Sequence, residues 1–429
     1  MKDNFQIIVV VVFMVLAILG ILVFSGAIPL GSEDKSLGVG TVVMWGTVRG
    51  NIMHPLMKEF NDANKSFYVQ YVEKEEDTFD QELLEAIASG TGPDMFLLPD
   101  NLAFRYANKI IKIPYTSFPV ASFKNNFASA GEVFLSSSGI LALPLIIDPL
   151  VMYYNRSMLD ASGIVTPPVY WEEFTNAVRT LTKRDESNKI LKSGAALGHY
   201  SNVAHAKDIL ATIFMQDGNP IVTERNGSRV SALGDSSVDL SNALQFYSDF
   251  ANPLKSNYSW NKSFLNSTSA FSREDVAFYF GYASELLSLI NQNPNQNFYV
   301  ASVPQIKTAN FKATGARVTG VAISSLSKNY TTAYIAASLM STGNFAGKLA
   351  EGLMVAPVRR DLLAIKPTDA YSPVFYNSAL YARSWLDPSD KDTDDIFRGM
   401  IDGVLSNTLS VGALIRDASA RLNLLLLKQ

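Results

Sequence analysis

Apolar stretches alternate with amphipathic stretches along most of this chain, and that alternation predicts an α/β fold. Short apolar or alternating runs predict strands at 42–45, 67–73, 95–98, 276–279, 298–304 and 318–324. Apolar residues spaced three and four positions apart predict helices at 53–64, 79–89, 171–182, 206–216, 240–251, 330–340 and 346–351, with a helical tail from 406. Because helices separate most of the strands, the sheets are expected to be largely parallel.

The segment 139–174 is the most informative part of the pattern. A buried strand is predicted to end at the break made by Pro144, and a short loop carrying Asp148 follows. A second apolar strand is predicted at 150–154, before the chain enters a helix. The chain therefore crosses from one sheet to another and leaves a carboxylate at the crossing, which is a natural place to hold a polar ligand.

The N-terminal segment predicts a membrane anchor. Residues 4–32 carry no charge, and 7–24 are apolar throughout. About 20 apolar residues cross a bilayer, whereas the apolar region of a signal peptide has about 7–15. We expect a transmembrane anchor at 5–27 and a linker at 28–37, with the globular body outside the cell or in the periplasm. A small-residue pattern at 25–27 leaves a cleaved signal peptide as the alternative.

Composition narrows the class of protein. A chain of 429 residues exceeds the size of a single core, so two lobes are expected. The net charge of −4, without a basic block, argues against a nucleic-acid partner. With no cysteine and three histidines, we expect no disulfide, no metal site and no cofactor. Nucleophile, metalloprotease and nucleotide-binding motifs are absent, so no enzyme is expected.

Several short motifs carry a family resemblance. They are LALP at 141–144, Tyr-Asn at 154–155, Gly-Ile at 163–164, Pro-Pro at 167–168, YWEEF at 170–174 and the Gly-Pro-Asp turn within 82–99. With these motifs in this order, the chain resembles the extracellular solute-binding proteins of ABC importers, in the group that contains the maltose-binding protein. The similarity covers roughly residues 38–426. Many such proteins are tethered through a lipidated cysteine, which this chain lacks, so the apolar helix would replace the lipid.

The resemblance implies a two-lobed type II periplasmic-binding-protein fold with a hinge. Lobe 1 would comprise 38–147 plus 313–365, and lobe 2 would comprise 148–312 plus 366–429. The implied function is a membrane-anchored protein that captures a small polar ligand, above all a carbohydrate, and delivers it to the permease of an ABC transporter. Alternatives are a surface-anchored sensor or adhesion receptor without transport, and a glycoside-acting enzyme using Asp100 and Asp148.

Nine side chains are candidates for ligand contact, some implied by family positions and some by their chemistry. They are Trp45, Arg49, Asp100, Asn101, Asp148, Tyr200, Tyr282, Arg317 and Trp385. Aromatic rings would stack on sugar faces, and carboxylates and amides would pair with hydroxyls. Each has an alternative role, such as core packing for Trp45 or helix capping for Asp100. The acidic run 387–395 lacks the glycine and glutamate of a calcium loop and is interpreted as a solvated loop.

Overall fold

The computed structural model describes residues 40–235 and 237–427. The predicted anchor at 5–27 and the predicted linker at 28–37 lie outside the described residues. Within the described ranges, no helix is long and apolar enough to cross a membrane.

Fifteen strands are described. They are β1 (Thr41–Gly46), β2 (Tyr68–Glu73), β3 (Met95–Pro99), β4 (Leu135–Ser136), β5 (Gly139–Ile140), β6 (Leu143–Asn155), β7 (Lys183–Arg184), β8 (Ile190–Ala195), β9 (Val222–Arg225), β10 (Ser228–Ser231), β11 (Val276–Tyr282), β12 (Phe298–Ser302), β13 (Thr314–Ile323), β14 (Ala356–Pro357) and β15 (Ala382–Arg383).

Helices lie between most of these strands. They are α1 (Gly50–Ala63), α2 (Glu76–Ser89), α3 (Asp100–Tyr106), α4 (Val120–Asn126), α5 (Arg156–Ala161), α6 (Trp171–Leu181), α7 (Ala206–Gln216), α8 (Ser241–Asp249), α9 (Ser267–Ser272), α10 (Leu286–Gln292), α11 (Tyr330–Met340), α12 (Gly343–Leu353), α13 (Arg360–Leu363), α14 (Ser372–Leu380), α15 (Asp390–Ser406) and α16 (Val411–Leu426), with 3₁₀ turns at Ser129–Phe134 and Ala283–Glu285.

Two long strands carry the main sheet from one lobe into the other. The strand order is β2-β1-β3-β13-β6-β11-β8-β7, and β12 and β14 also pair with β6. The first half of β6 pairs with β13 and β14, and its second half pairs with β11 and β12. Almost every residue of β6 is buried, as expected for a central strand covered on both faces.

The predicted break at Pro144 is wrong, because β6 runs without interruption from Leu143 to Asn155. Proline cannot donate to a sheet ladder, so it needs an irregular position. The register with β13 shifts between Thr319 and Gly320, which oppose Ile146 and Pro144. This bulge accommodates Pro144, and Pro149 lies where β6 changes its pairing partner from β13 to β11.

The solvated loop predicted at 387–395 is also wrong, because α15 begins at Asp390. The Ser389 hydroxyl accepts a hydrogen bond from the Asp392 backbone N–H and caps the helix. Acidic residues in the first turn complement the positive end of the helix dipole. A run of aspartates therefore starts a helix here.

Two hydrophobic cores give the molecule its two lobes. One core is built mainly from residues 42–147 and 316–363, and the other mainly from 150–303 and 371–426. Individual side chains cross this division: Phe104 packs in the second core, and Ala379 and Ala382 pack in the first. The α/β class and the two-lobed architecture are confirmed, and the lobe limits drawn from the sequence stay a prediction. The expectation of largely parallel sheets is wrong, because β6 pairs antiparallel with β11, β12, β13 and β14, and β13 pairs antiparallel with β3.

Candidate ligand-binding site

A cleft of about 1110 Å³ opens between the lobes beside the crossing strands. Seven of the nine candidate side chains line this cleft: Arg49, Asp100, Asn101, Asp148, Tyr282, Arg317 and Trp385. They come from strand ends, helix starts and the crossing strands of both lobes. The fold therefore brings together residues that lie more than three hundred positions apart in the sequence.

Asp148 and Arg317 face each other across the hinge. They are register partners on the antiparallel strands β6 and β13, at the point where both strands pass between the lobes. Asp148 accepts hydrogen bonds from the Ser284 backbone N–H at 3.0 Å and from the Ser284 hydroxyl at 2.6 Å. Burial raises the pKa of Asp148 to about 6, although these hydrogen bonds act to lower it.

Arg317 lies over the ring that the sequence suggested for stacking. Its guanidinium carbon is 4.0 Å from the centre of the Tyr282 ring, and a guanidinium nitrogen is 3.9 Å from Asp208. The arginine side chain is 56% exposed to the cleft, whereas Tyr282 is only 2% exposed. The stacking face of Tyr282 is therefore covered by a cation, and the surface offered to a ligand is Arg317.

Asp100 is the most deeply buried acidic candidate, at 6% exposure. It is the first residue of α3, whose N-cap is Pro99, so the alternative role of a helix N-cap does not apply. Its carboxylate accepts hydrogen bonds from the Asn101 backbone N–H at 3.1 Å and from the Ser384 hydroxyl. Burial raises the pKa of Asp100 to about 7 against these hydrogen bonds.

A buried ion cluster around Lys207 was missed by the sequence reasoning. The ammonium is 3.1 Å from Asp387, 3.1 Å from Asp394 and in direct contact with Asp390. The side chains of Lys207 and Asp387 are 8% and 6% exposed. Burial acts to lower the pKa of Lys207, but the surrounding carboxylates outweigh it and raise the pKa above its usual range. A lysine in the otherwise largely apolar α7 was the available signal, since a buried ammonium requires counter-charges.

A second missed network supports the loop after β11. His205 Nε2 is 2.7 Å from Glu285, which also accepts hydrogen bonds from the Tyr279 hydroxyl at 2.5 Å and the Tyr282 backbone N–H at 2.8 Å. Burial opposes ionisation of Glu285, but the contacts with His205 and Tyr279 lower its pKa overall. This network holds Tyr282 and Ser284 in place beside Asp148.

Trp45 and Tyr200 are not among the residues that line the cleft. Trp45 packs against the first core, and the Lys74 ammonium lies 3.9 Å from its ring centre. Tyr200 packs against the second core, with the Arg398 guanidinium 5.0 Å from its ring centre. Both rings are thus occupied by cation contacts on their own lobes, which matches the packing roles considered for them.

Comparison with known families identifies one match that covers most of the chain. Residues 46–337 match the family described as bacterial extracellular solute-binding proteins. Among curated proteins, binding proteins of Brucella abortus strain 2308 and of Brucella abortus biovar 1 strain 9-941 are each 26% identical over 137 residues. That alignment covers 31% of this chain and 33% of each relative, so the match spans about a third of their length.

Solved structures share the whole architecture. A cyclic α-maltosyl-1,6-maltose binding protein from Arthrobacter globiformis gives a TM-score of 0.76 at 16% identity, covering 91% of this chain and 99% of that one. A cyclo/maltodextrin-binding protein complexed with maltotetraose gives 0.74 at 15% identity, covering 93% and 100%. A substrate-binding protein from Listeria monocytogenes in complex with cycloalternan gives 0.65 at 18% identity, covering 90% and 98%. At sequence identities of 15–18%, the structural similarity to these proteins establishes the fold alone.

Proposed function

Since the chain belongs to the family of bacterial extracellular solute-binding proteins, we propose that it captures a small polar ligand, above all a carbohydrate, between its two lobes. The captured solute would then be delivered to the permease of an ABC transporter. The body would stand outside the cell or in the periplasm, held by the predicted N-terminal anchor. Binding without chemistry is the role that this proposal gives to the cleft.

The observation that carries the proposal is the position and lining of the cleft. It lies where β6 and β13 cross between the lobes, so closing the lobes would enclose a ligand. Its volume of about 1110 Å³ exceeds the range of about 300–1,000 Å³ that is usual for small-molecule sites, which favours an oligosaccharide over a single sugar ring. Carboxylate, amide and guanidinium groups line the cleft, and each can pair with hydroxyl groups.

Ligand titration of the full chain tests this proposal. The protein would be held in a detergent without a sugar headgroup, so that the detergent does not compete for the site. Malto- and cello-oligosaccharides, polyols and amino acids would be titrated by calorimetry and by tryptophan fluorescence. Trp385 lines the cleft, whereas Trp45 packs against the first core outside the lining and Trp171 and Trp260 are buried in the second core, so a ligand should change mainly the emission of Trp385.

Matched variants locate the binding. Asn101→Ala removes an exposed amide from the cleft and should weaken saccharide binding about fivefold, the value of one hydrogen bond. Asn108→Ala removes an exposed amide just after α3, outside the cleft lining, and should leave the affinity unchanged. A folded protein that binds no saccharide in the panel would contradict the proposal. Co-purification of permease subunits with the tagged full chain would test delivery.

A further inference from the structure

We infer that the saccharide bound by this cleft carries an ammonium group, so that amine-bearing sugars are preferred over neutral or acidic ones. This rests on the proposed function, since it names the class of saccharide that the same site takes. The inference follows from how the charges of the cleft are paired.

Carboxylates outnumber cations among the residues that line the cleft. The acidic residues are Glu76, Asp80, Asp100, Asp148, Asp208, Asp387 and Asp390, and the basic residues are Arg49, Lys207 and Arg317. The whole chain has 40 acidic and 36 basic residues. Asp80 is paired with Arg105, which lies outside the lining, and the remaining carboxyl groups still outnumber the cations, so an acidic sugar would meet like charge there.

Arg317 is shared by three carboxylates on one side of the cleft. Its nearest carboxylate is Asp208 at 3.9 Å, and it also acts electrostatically on Asp100 and Asp148. Among the residues that the structure describes, no side-chain nitrogen of Lys, Arg or His lies within 4.0 Å of a carboxylate oxygen of Asp100 or Asp148. They are held instead by the hydroxyl groups of Ser384 and Ser284 and by backbone N–H groups. One arginine thus serves three carboxyl groups, and the other basic group beside them is His205, whose Nδ1 lies 3.8 Å from Asp208.

Lys207 is likewise shared by several carboxylates, on the adjacent wall of the cleft. Its single ammonium contacts Asp387, Asp390 and Asp394, and Asp208 adds to the negative field around it. Lys207 and Asp208 are neighbours on α7, so the two groups of charges form one continuous anionic wall. The cations of the protein leave this wall under-neutralised.

Buried carboxylates without a full counter-charge are costly, and that cost is present here. Burial raises the pKa of Asp100 to about 7 and that of Asp148 to about 6. A ligand ammonium would supply the missing positive charge and donate charge-assisted hydrogen bonds to both. Among the residues that the structure describes, no group of three or more His, Asp or Glu is arranged to hold a metal ion, so an organic cation fits better.

The aromatic surfaces of the cleft point the same way. Neutral oligosaccharides are commonly held by stacking on open aromatic faces. Here the Tyr282 ring is covered by Arg317, and Phe79 is buried in the first core. Of the aromatic side chains lining the cleft, Trp385 is the one that stays partly open. Electrostatic pairing must therefore supply a larger share of the affinity.

Three tetrasaccharides with one backbone test the inference on the full chain. β-1,4-linked tetramers of glucosamine, glucose and N-acetylglucosamine differ only at carbon 2 of each ring, which carries an ammonium, a hydroxyl or an acetamide. At pH 6.5 and low salt, we expect the glucosamine tetramer to bind at least about tenfold more tightly than the glucose tetramer. That preference should shrink at 0.5 M salt, because salt screens the attraction between the ligand ammonium groups and the solvent-exposed carboxylates of the cleft. Maltotetraose and a galacturonate tetramer complete the panel.

Asp148→Asn is the decisive variant, because the amide keeps hydrogen-bonding contact with Ser284 and removes only the charge. It should reduce the preference for the amine at least threefold, and its thermal melting curve reports separately that the variant is folded. Asp395→Asn removes the same charge from an exposed position of α15, outside the cleft lining, and should keep the preference.

The outcomes separate the two proposals. If glucose tetramer or maltotetraose binds as tightly as the amine or more tightly, the inference is wrong and the proposed function stands. If the preference survives high salt and Asp148→Asn, it does not come from these carboxylates and the inference is also wrong. If the folded protein binds no saccharide of any charge, the proposed function is wrong and the inference falls with it.

Discussion

Replacing Lys207 with methionine tests whether the buried ion cluster stabilises the second lobe. The ammonium joins α7 to the start of α15 through Asp387, Asp390 and Asp394, which lie about 180 residues further along the chain. Methionine keeps most of the length and volume of the side chain and removes the charge. The perturbation therefore leaves the buried carboxylate of Asp387 without its cation.

The size of the effect follows from that uncompensated charge. Removing one partner of a buried ion pair costs about 3–5 kcal/mol. The entropy of unfolding is about 2.1 cal/mol/K per residue, or about 0.8 kcal/mol/K for a unit of roughly 400 residues. The melting temperature should therefore fall by about 4–6 °C if the lobes unfold together, and by roughly twice as much if the second lobe unfolds alone.

The loss of stability caused by Lys207→Met should depend on pH in a definite direction. Burial already holds the pKa of Asp387 above its usual range, despite the opposing charge of Lys207. Without the ammonium this pKa should rise further, so the folded variant binds a proton more tightly than the unfolded chain does. Stability of the variant is then recovered as the pH falls through the raised pKa. The deficit relative to the parent protein should be largest near pH 8 and smallest near pH 5.

Differential scanning calorimetry of the full chain at both pH values would measure this deficit. Lys58→Met is the matched control, because Lys58 makes a 2.9 Å ion pair with Asp62 but lies exposed on α1. That variant should melt with the parent protein, since exposed pairs contribute little. A Lys207→Met protein that melts within 1 °C of the parent at pH 8, or whose deficit is the same at both pH values, would refute the reasoning.

Two further predictions concern a single charge and a single close contact. Because the pKa of Asp100 is raised from 3.8 to about 7, its contribution to stability is present below pH 4 and is lost as the pH rises through 7. Asp100→Asn should flatten the curve of melting temperature against pH between pH 4 and 7. An unchanged slope would contradict the raised pKa of Asp100. Gly194→Ala would place a Cβ well inside van der Waals contact with the Val178 carbonyl oxygen, so α6 must shift from β8, and urea unfolding should show a loss of about 1–3 kcal/mol. Gly412→Ala meets only ordinary contacts in α16 and should stabilise by up to about 1 kcal/mol; equal effects of the two alanines would count against the packing argument.

The strand pattern and the lining of the cleft were partly predictable, for different reasons. Buried strands and amphipathic helices leave a local periodicity, so β3, α6 and α7 lie where the pattern placed them. Asp100 and Asp148 were found because each lies at a strand end or crossing, a feature visible in the local sequence. The boundary at Pro144 was misjudged, because the bulge that accommodates it depends on β13, more than 170 residues away.

Tertiary partners decided the chemistry of the site. Trp45 and Tyr282 are aromatic side chains of the kind that stack on sugar rings. In the structure the Lys74 ammonium lies over the Trp45 ring, and the Arg317 guanidinium lies over the Tyr282 ring. Glu285 is the acceptor for His205 and Tyr279, a pairing that the local sequence does not indicate. None of these contacts leaves a periodic signal, since each joins one side chain to one distant partner.

The sequence by itself determined the α/β class, the two-lobed family architecture and the carboxylate at the crossing between lobes. These properties follow from local hydrophobic periodicity and from short motifs, which are written along the chain. Only the tertiary structure decided that Lys207 is surrounded by carboxylates and that one arginine serves Asp100, Asp148 and Asp208. Charge pairing depends on distance in space, and the crossing of β6 and β13 sets those distances only when both lobes are folded.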